Sequence, residues 1–399
     1  MRKSGNWTRV PFSIALVGTF VAIGITLQNG EPRSAAGPGL PKVRYRIHLP
    51  RLPANSTFGE FDVLDMNNAG DIVGLYSSAR GITAFLYAPA RNIKQAIDLN
   101  DLAVDGIPEG AWLRAGFAIN EWGVVVGCLQ QANGDVHPFA LDLGADTPVV
   151  DLLPNFGAAF ASGSQINENG DIIVRIENPR SAYLFNPGLY NGDTSVRASR
   201  DGEPQDFSAK TPQLLPAHIS TSTIQLNNPL GKRPAQVAGV TNDHIAFRYT
   251  TGKTPHLETF PKLGVSMRSQ IEGLNDAGVF CGIHFGFTKD GNADWGPFRY
   301  DQSVEMLPWA GIAPPLAINA SGDLLTWEHV YRDDWGLVFI SDIVTGAADE
   351  LDAWHMESFT ATCITDRVTA ADSAQIAGRL EGSFENSRIV IFMSELVSE

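Results

Sequence analysis

Short apolar runs along this chain alternate with polar residues at a spacing of two, and one phrase keeps interrupting them. It reads as an apolar stretch, usually Asn, two variable residues, usually Gly, then a second apolar stretch often ending in Gly. A period of two predicts strands, and a phrase returning at a fixed interval predicts one supersecondary unit copied in a ring or stack. The phrase begins at Leu64-Asp65-Met66-Asn67-Asn68-Ala69-Gly70 and runs to Gly74. It returns at Ala118–Gly127, Gln165–Gly170, Gln225–Asn227, Gly273–Gly278 and Ala317–Gly322. A worn seventh copy is Cys363-Ile364-Thr365-Asp366. Successive anchors lie 53, 47, 60, 48, 44 and 46 residues apart.

Each unit carries four strand-like runs. In the first they are Phe61–Met66, Asp71–Tyr76, Ala84–Tyr87 and Ala96–Leu99. In the sixth the pattern predicts Leu337–Ile340 as the third strand and Ala348–Leu351 as the fourth. The Asn-x-x-Gly phrase suits a tight turn. Asn at the first position accepts a local backbone hydrogen bond, and Gly at the fourth permits positive φ. Four strands per unit and about 51 residues per unit over 43–399 predict an all-β, seven-bladed β-propeller. The seventh unit stops after three strands, at Phe392, and Tyr45–Leu49 at the other end reads as its missing outer strand. Closure by both termini removes the exposed edge that an open stack would have to cap.

The N-terminal segment predicts that this fold is exported. Residues 1–27 put Arg2, Lys3 and Arg9 ahead of an uncharged apolar run from Val10 to Leu27. That pattern is a signal peptide or a single membrane anchor, and either exports the rest. The membrane is then met only through residues 10–27, if they stay uncleaved. Residues 28–42 read as a Gly/Pro/Ala-rich tether. A net charge of −15 lacks the basic footprint that nucleic acid demands. Cys128, Cys281 and Cys363 sit singly in strands of different units and predict buried free thiols rather than a disulfide framework or a zinc site. A monomer is expected.

The run Asp98-Leu99-Asn100-Asp101-Leu102, then Trp112-Leu113, then Ala118-Ile119-Asn120-Glu121-Trp122-Gly123-Val124-Val125-Val126-Gly127, resembles the HAF-type extracellular repeat family of bacteria. The resemblance spans about residues 58–392. It departs at the closing phrase, where Tyr87, Phe185, Tyr249 or Tyr300 replaces Trp. It implies export and a propeller-like fold, and no reaction.

Candidate chemistry gathers on one predicted face. In a propeller whose first strand is innermost, the loops joining strands two and three lie opposite the Asn-x-x-Gly turns. Trp112, Trp295, Trp309, Trp327, Trp335 and Trp354 fall in or near that loop set. Trp112, Trp309 and Trp354 precede the repeat anchors and read as plugs between blades. Trp295, Trp327 and Trp335 read as binding residues, with His284, Glu328, His329, Asp333 and Asp334 beside them. Aromatic rings beside carboxylates suit sugar rings or a protein loop. Asp290, Asn292 and Asp294 alternate like calcium ligands. The loop departs from the usual spacing, its Gly one residue late and Asp301 in place of the twelfth-position Glu. No cofactor is otherwise expected. The eight His are scattered, and neither a nucleophile elbow nor a phosphate loop is present. The sequence thus predicts an exported, non-catalytic binding protein for a glycan or an extracellular protein. The alternative is a polysaccharide lyase or glycosidase that assembles its site from distant blades. The stretch Asn186–Thr211 reads as a loop insertion in the third unit.

Overall fold

The computed structural model divides the chain into Met1–Ala35 and Ala36–Glu399. It describes residues 43–396 except 49, 103–105, 144–148, 153–159, 178–179, 186–212, 217–218, 229–233, 253, 261–267, 288–289, 302, 309–313, 341–358, 367–374 and 381–387. The expected leader, the tether, Trp309, Trp354 and the Asn186–Thr211 insertion lie outside the described residues. No helix among the described residues is long and apolar enough to cross a membrane.

The protein is an all-β propeller whose described strands form seven four-stranded antiparallel sheets. Blade 1 runs Ser56–Met66, Ile72–Ser78, Gly81–Ala88 and Ile93–Asp98. Blades 2 to 6 repeat this order, with first strands Trp112–Ile119, Ala161–Ile166, Ile219–Leu226, Arg268–Leu274 and Ala317–Ile318. Blade 7 takes Phe359–Ile364, Ile376–Leu380 and Arg388–Leu396 from the end of the chain. Its fourth strand is Val43–His48, paired antiparallel with Arg388–Leu396.

The core lies between blades. Second-strand residues point alternately to the two neighbours, as strand geometry requires. Val126 packs with Ile172 of blade 3, Ala238 with Phe280 of blade 5, and Ala377 with Phe61 and Ile72 of blade 1. The Gly that closes the repeated phrase has a steric cause. The first strand bulges beside it, between Val63 and Asp65 in blade 1 and between Gly116 and Ala118 in blade 2. A Cβ at Gly127 would fall on the Ala115 carbonyl, and one at Gly282 on the Gln270 carbonyl.

The Asn-x-x-Gly turns do more than reverse the chain. Asn67 and Asn120 accept from the backbone N–H four residues on, at 2.9 Å each, and Gly70 and Gly123 take φ of 79° and 81°. The same amide side chains then cross to the next blade. Asn67 Nδ2 donates to Asn120 O at 3.0 Å, Asn120 to Asn167 O at 3.2 Å and Asn167 to Asn227 O at 3.1 Å. Asn227 reaches Asp276 O at 3.5 Å, Asn275 reaches Asn319 O at 3.1 Å, and Asn319 reaches Thr365 O at 3.0 Å.

A second belt runs one residue further on. The backbone N–H of Asn68 donates to Glu121, Glu121 to Glu168, Glu168 to Asn228 and Asn228 to Asp276, at 2.6 to 3.0 Å. Ala320 N donates to Asp366 at 2.5 Å, and Asp366 N returns to Asn68 Oδ1 at 2.7 Å. That last bond joins blade 7 to blade 1 across 298 residues of sequence. Asp276 N–H finds no side-chain acceptor at the next place because Ala320 has none to offer.

The sixth unit departs from its expected strands. Its third strand is His329–Arg332 and its fourth is Gly336–Phe339, one strand earlier than the apolar pattern suggests. The cause is a two-residue hairpin at Trp327-Glu328. Thr326 N donates to His329 O at 2.8 Å and His329 N to the Thr326 hydroxyl at 3.0 Å, so the third strand starts at once.

All three thiols are buried and unpaired with one another. Burial pushes the Cys128 thiol up to about 12 and raises Cys281 and Cys363 as well.

Two outcomes follow for stability. Asn120→Ala leaves the Val124 N–H and the Asn167 carbonyl buried without these partners, and is expected to cost about 2 to 4 kcal/mol in urea unfolding. Ala320→Asn supplies the missing acceptor in the second belt and is expected to gain about 0.5 to 1.5 kcal/mol. A loss from Ala320→Asn would contradict the belt.

The pH dependence has a fixed sign. Burial raises Asp65 and Asp276 to about 6 and Glu272 to about 7, and it raises Glu121 too; Asp366 and Glu121 add repulsion at Asp276. These acids bind protons more tightly folded than unfolded, so their strain is relieved as pH falls through their folded values towards about 4. The melting temperature is therefore expected to be higher at about pH 5.5 than at about pH 7.5. Calorimetry showing the reverse order would contradict it.

Candidate functional site

The predicted binding residues divide between the two ends of the propeller. Asp333, Asp334 and Trp335 form the turn between the third and fourth strands of blade 6, which lies at the Asn-x-x-Gly end. There they hold arginines. Arg332 is buried, pairs with Asp334 at 3.0 Å, and lies 3.8 Å from the Trp335 ring centroid. Arg299 of blade 5 pairs with Glu305 at 2.7 Å and Asp333 at 3.0 Å, and donates to Gly322 O of blade 6 at 3.5 Å. This trio thus bridges and caps blades 5 and 6, and the shift in strand order carries it to the face opposite the expected one.

Trp295, Trp327, Glu328, His329 and His284 stay at the other end. His284 is only 2% exposed, in the second strand of blade 5, and His329 is buried at the start of its strand. Trp327 is 38% exposed and Glu328 is exposed beside it in the tight hairpin. Trp112 donates its indole N–H to Ile82 O of blade 1 at 3.0 Å, as expected of a plug between blades.

Strand register shows what surrounds Trp295. Cys281 packs with Ile318 and Leu324 of blade 6, so its side of the strand faces that blade. Alternation puts Ile283, Phe285 and Phe287 on the same side. Trp295 is the register partner of Phe285, and Arg268 of the first strand is its partner on the other flank. Arg268, Phe285 and Trp295 therefore form one row across the blade, with Phe287 beyond it. Across the gap, Tyr331 and Leu337 of blade 6 pack on the Cys281 cluster. Two residues along their strands, His329 and Phe339 present the same side, with ring centroids 4.0 Å apart.

A difference in length leaves this surface open. The second and third strands of blade 5 have 8 and 9 residues, and those of blade 6 have 2 and 4. The blade 5 hairpin overhangs its neighbour. Phe285, Phe287 and Phe339 are 36%, 58% and 44% exposed, uncommon values for Phe in a folded interior. The result is an aromatic shelf of Phe285, Phe287 and Trp295 on the side of blade 5 that faces blade 6, with the Trp327-Glu328 hairpin and Phe339 at the same end of blade 6.

Asp290 and Asn292 are exposed at the tip of the same hairpin, and the Asp294 side chain lies outside the described residues. No group of three His, Cys, Asp or Glu side chains among the described residues is placed to hold a metal ion. His137 and Asp151 of blade 2 form a close pair, Nδ1 to Oδ2 at 2.6 Å, bonded in turn to Gln131. The sequence motifs did not single out that pair.

No protein-family model matches the sequence, and no curated protein matches it. Among solved structures, the chain is similar to virginiamycin B lyase from Staphylococcus aureus at 11% identity and a TM-score of 0.42. That match covers 88% of this chain and 99% of the other. AofleA from Arthrobotrys oligospora is similar at 9% identity and a TM-score of 0.36, over 90% and 91% of the two chains. SapL1 lectin in complex with alpha methyl fucoside is similar at 10% identity and a TM-score of 0.37, over 73% and 99%. These likenesses lie in chain course and carry nothing about ligand or activity.

Removing the turn-end trio is expected to act on the fold. Trp335→Ala uncovers the buried Arg332 guanidinium and should cost about 1 to 2 kcal/mol in urea unfolding. Phe287→Ala at the overhang should change stability by less than about 0.5 kcal/mol. A reversal of that order would place the two ends wrongly.

Proposed function

We propose that this protein is an exported, non-catalytic binding protein that captures a saccharide on the aromatic shelf between blades 5 and 6. One observation carries the reading: a hairpin that overhangs its neighbour and exposes Phe285 and Phe287, with the half-buried Trp295 in register on the same side. Water-facing aromatic rings in a row do nothing for the fold. They suit the C–H faces of pyranose rings, while polar groups at the margin fix orientation. Export is supported by the basic and apolar pattern of residues 1–27 and by the HAF-type motifs at 98–127. The seven sheets are read as one seven-bladed ring closed by Val43–His48 and the Asn68–Asp366 bonds.

Retention of the full chain on immobilised polysaccharides tests the binding reading. Trp295→Ala and Phe285→Ala should each weaken retention about tenfold, equivalent to about 1.4 kcal/mol. Their melting temperatures should stay within a few degrees of the parent, and Trp335→Ala should retain normally. Unchanged retention in both shelf variants would sink the shelf. Release of shortened or unsaturated oligosaccharides from the bound polymer would make the protein an enzyme instead.

A further inference from the structure

We infer that the shelf is built for neutral saccharides, with Arg268 as the donor anchor and Glu328 as the acceptor anchor. The inference rests on the binding function proposed above and adds the class of ligand. Arg268 is exposed and stands in register with Phe285, on the same side of the sheet as Phe285 and Trp295. Its guanidinium offers up to five N–H donors in a fixed fork beside the ring row. Glu328 is exposed in the blade 6 hairpin, and its carboxylate only accepts. One donor group on the blade 5 wall and one acceptor group on the blade 6 wall match a sugar's hydroxyls, each of which both gives and takes a hydrogen bond.

Charge decides between saccharide classes. A carboxylated sugar would gain from Arg268 and lose at Glu328, at Asp290 on the hairpin tip, and to a chain of net charge −15. An amino sugar would gain from the carboxylates and lose at Arg268, which stands nearest the stacking rings. A neutral ring meets no opposing charge and uses both anchors.

Isothermal titration of the full chain with four hexamers separates these outcomes: cellohexaose, mannohexaose, hexagalacturonate and chitosan hexamer. The expected result is binding of a neutral hexamer at least about tenfold tighter than of hexagalacturonate or chitosan, with little dependence on salt. Arg268→Gln and Glu328→Gln should each weaken that neutral binding about five- to tenfold. Arg268→Lys should restore only part, because an ammonium lacks the fork. Two results would overturn the inference while leaving the shelf intact. One is hexagalacturonate binding tightest and falling steeply with salt and with Arg268→Gln. The other is chitosan binding tightest and falling with Glu328→Gln. Neutral binding that survives both Gln substitutions and yet fails in Trp295→Ala would remove the anchors and keep the shelf. Absence of binding to all four hexamers, with no polysaccharide retained, would remove the function beneath them.

Discussion

The turn asparagine is the interaction on which the rest of this structure depends. One side chain both closes its own hairpin and reaches the turn carbonyl of the next blade. Asn67, Asn120, Asn167, Asn275 and Asn319 do this with nearly the same geometry. A sheet in a propeller has no partner but its neighbours, so each blade's position must be set against the next. Apolar packing between blades supplies attraction without a fixed register, because it is non-directional. The amide bonds supply the register. The belt one residue further on repeats the constraint with carboxylates and amides, and Asp366 and Asn68 join its ends. Burying Glu121 and Asp276 at one mouth, with Asp366 beside them, has a cost, visible in carboxyls raised first by burial and then by mutual repulsion.

Much of this was legible in the sequence because the fold repeats. The period of two, the Asn-x-x-Gly phrase and the orphan strand at 43–48 identify sheets, turns and the N-terminal partner of Arg388–Leu396. The amide bridges between blades were not legible, since they depend on which way a side chain turns after satisfying its own hairpin. A signal for the second belt was present. The residue after the turn Asn, or after Thr365 in the last unit, is Asn68, Glu121, Glu168, Asn228, Asp276, Ala320 and Asp366, all but one able to accept. The sixth unit misled because its two-residue hairpin carries no Gly or Pro to announce it. Leu337-Val338-Phe339-Ile340 looks like the aromatic third strands elsewhere, and the resulting shift carried Asp333, Asp334 and Trp335 to the wrong face.

The shelf has the same origin as that error. Blade 6 is short where blade 5 is long, and the mismatch uncovers residues that alternation would otherwise bury. Phe287 carries the period of two one residue past the length of the longest other second strands, Ile72–Ser78 among them, a signal that motif spacing alone does not weigh. Trp295 and Trp327 could be named from sequence as binding candidates. Arg268, Phe285 and Phe339 needed register, because only pairing places a first-strand cation and a fourth-strand ring beside them.

Hydrogen exchange of the backbone with and without a bound saccharide tests the location of function most directly. The account predicts added protection confined to the blade 5 hairpin, about residues 283–297, with Arg268 beside it, and to the blade 6 segment 326–340. Protection at the Asn-x-x-Gly turns or along the first strands, with those two segments unchanged, would contradict it.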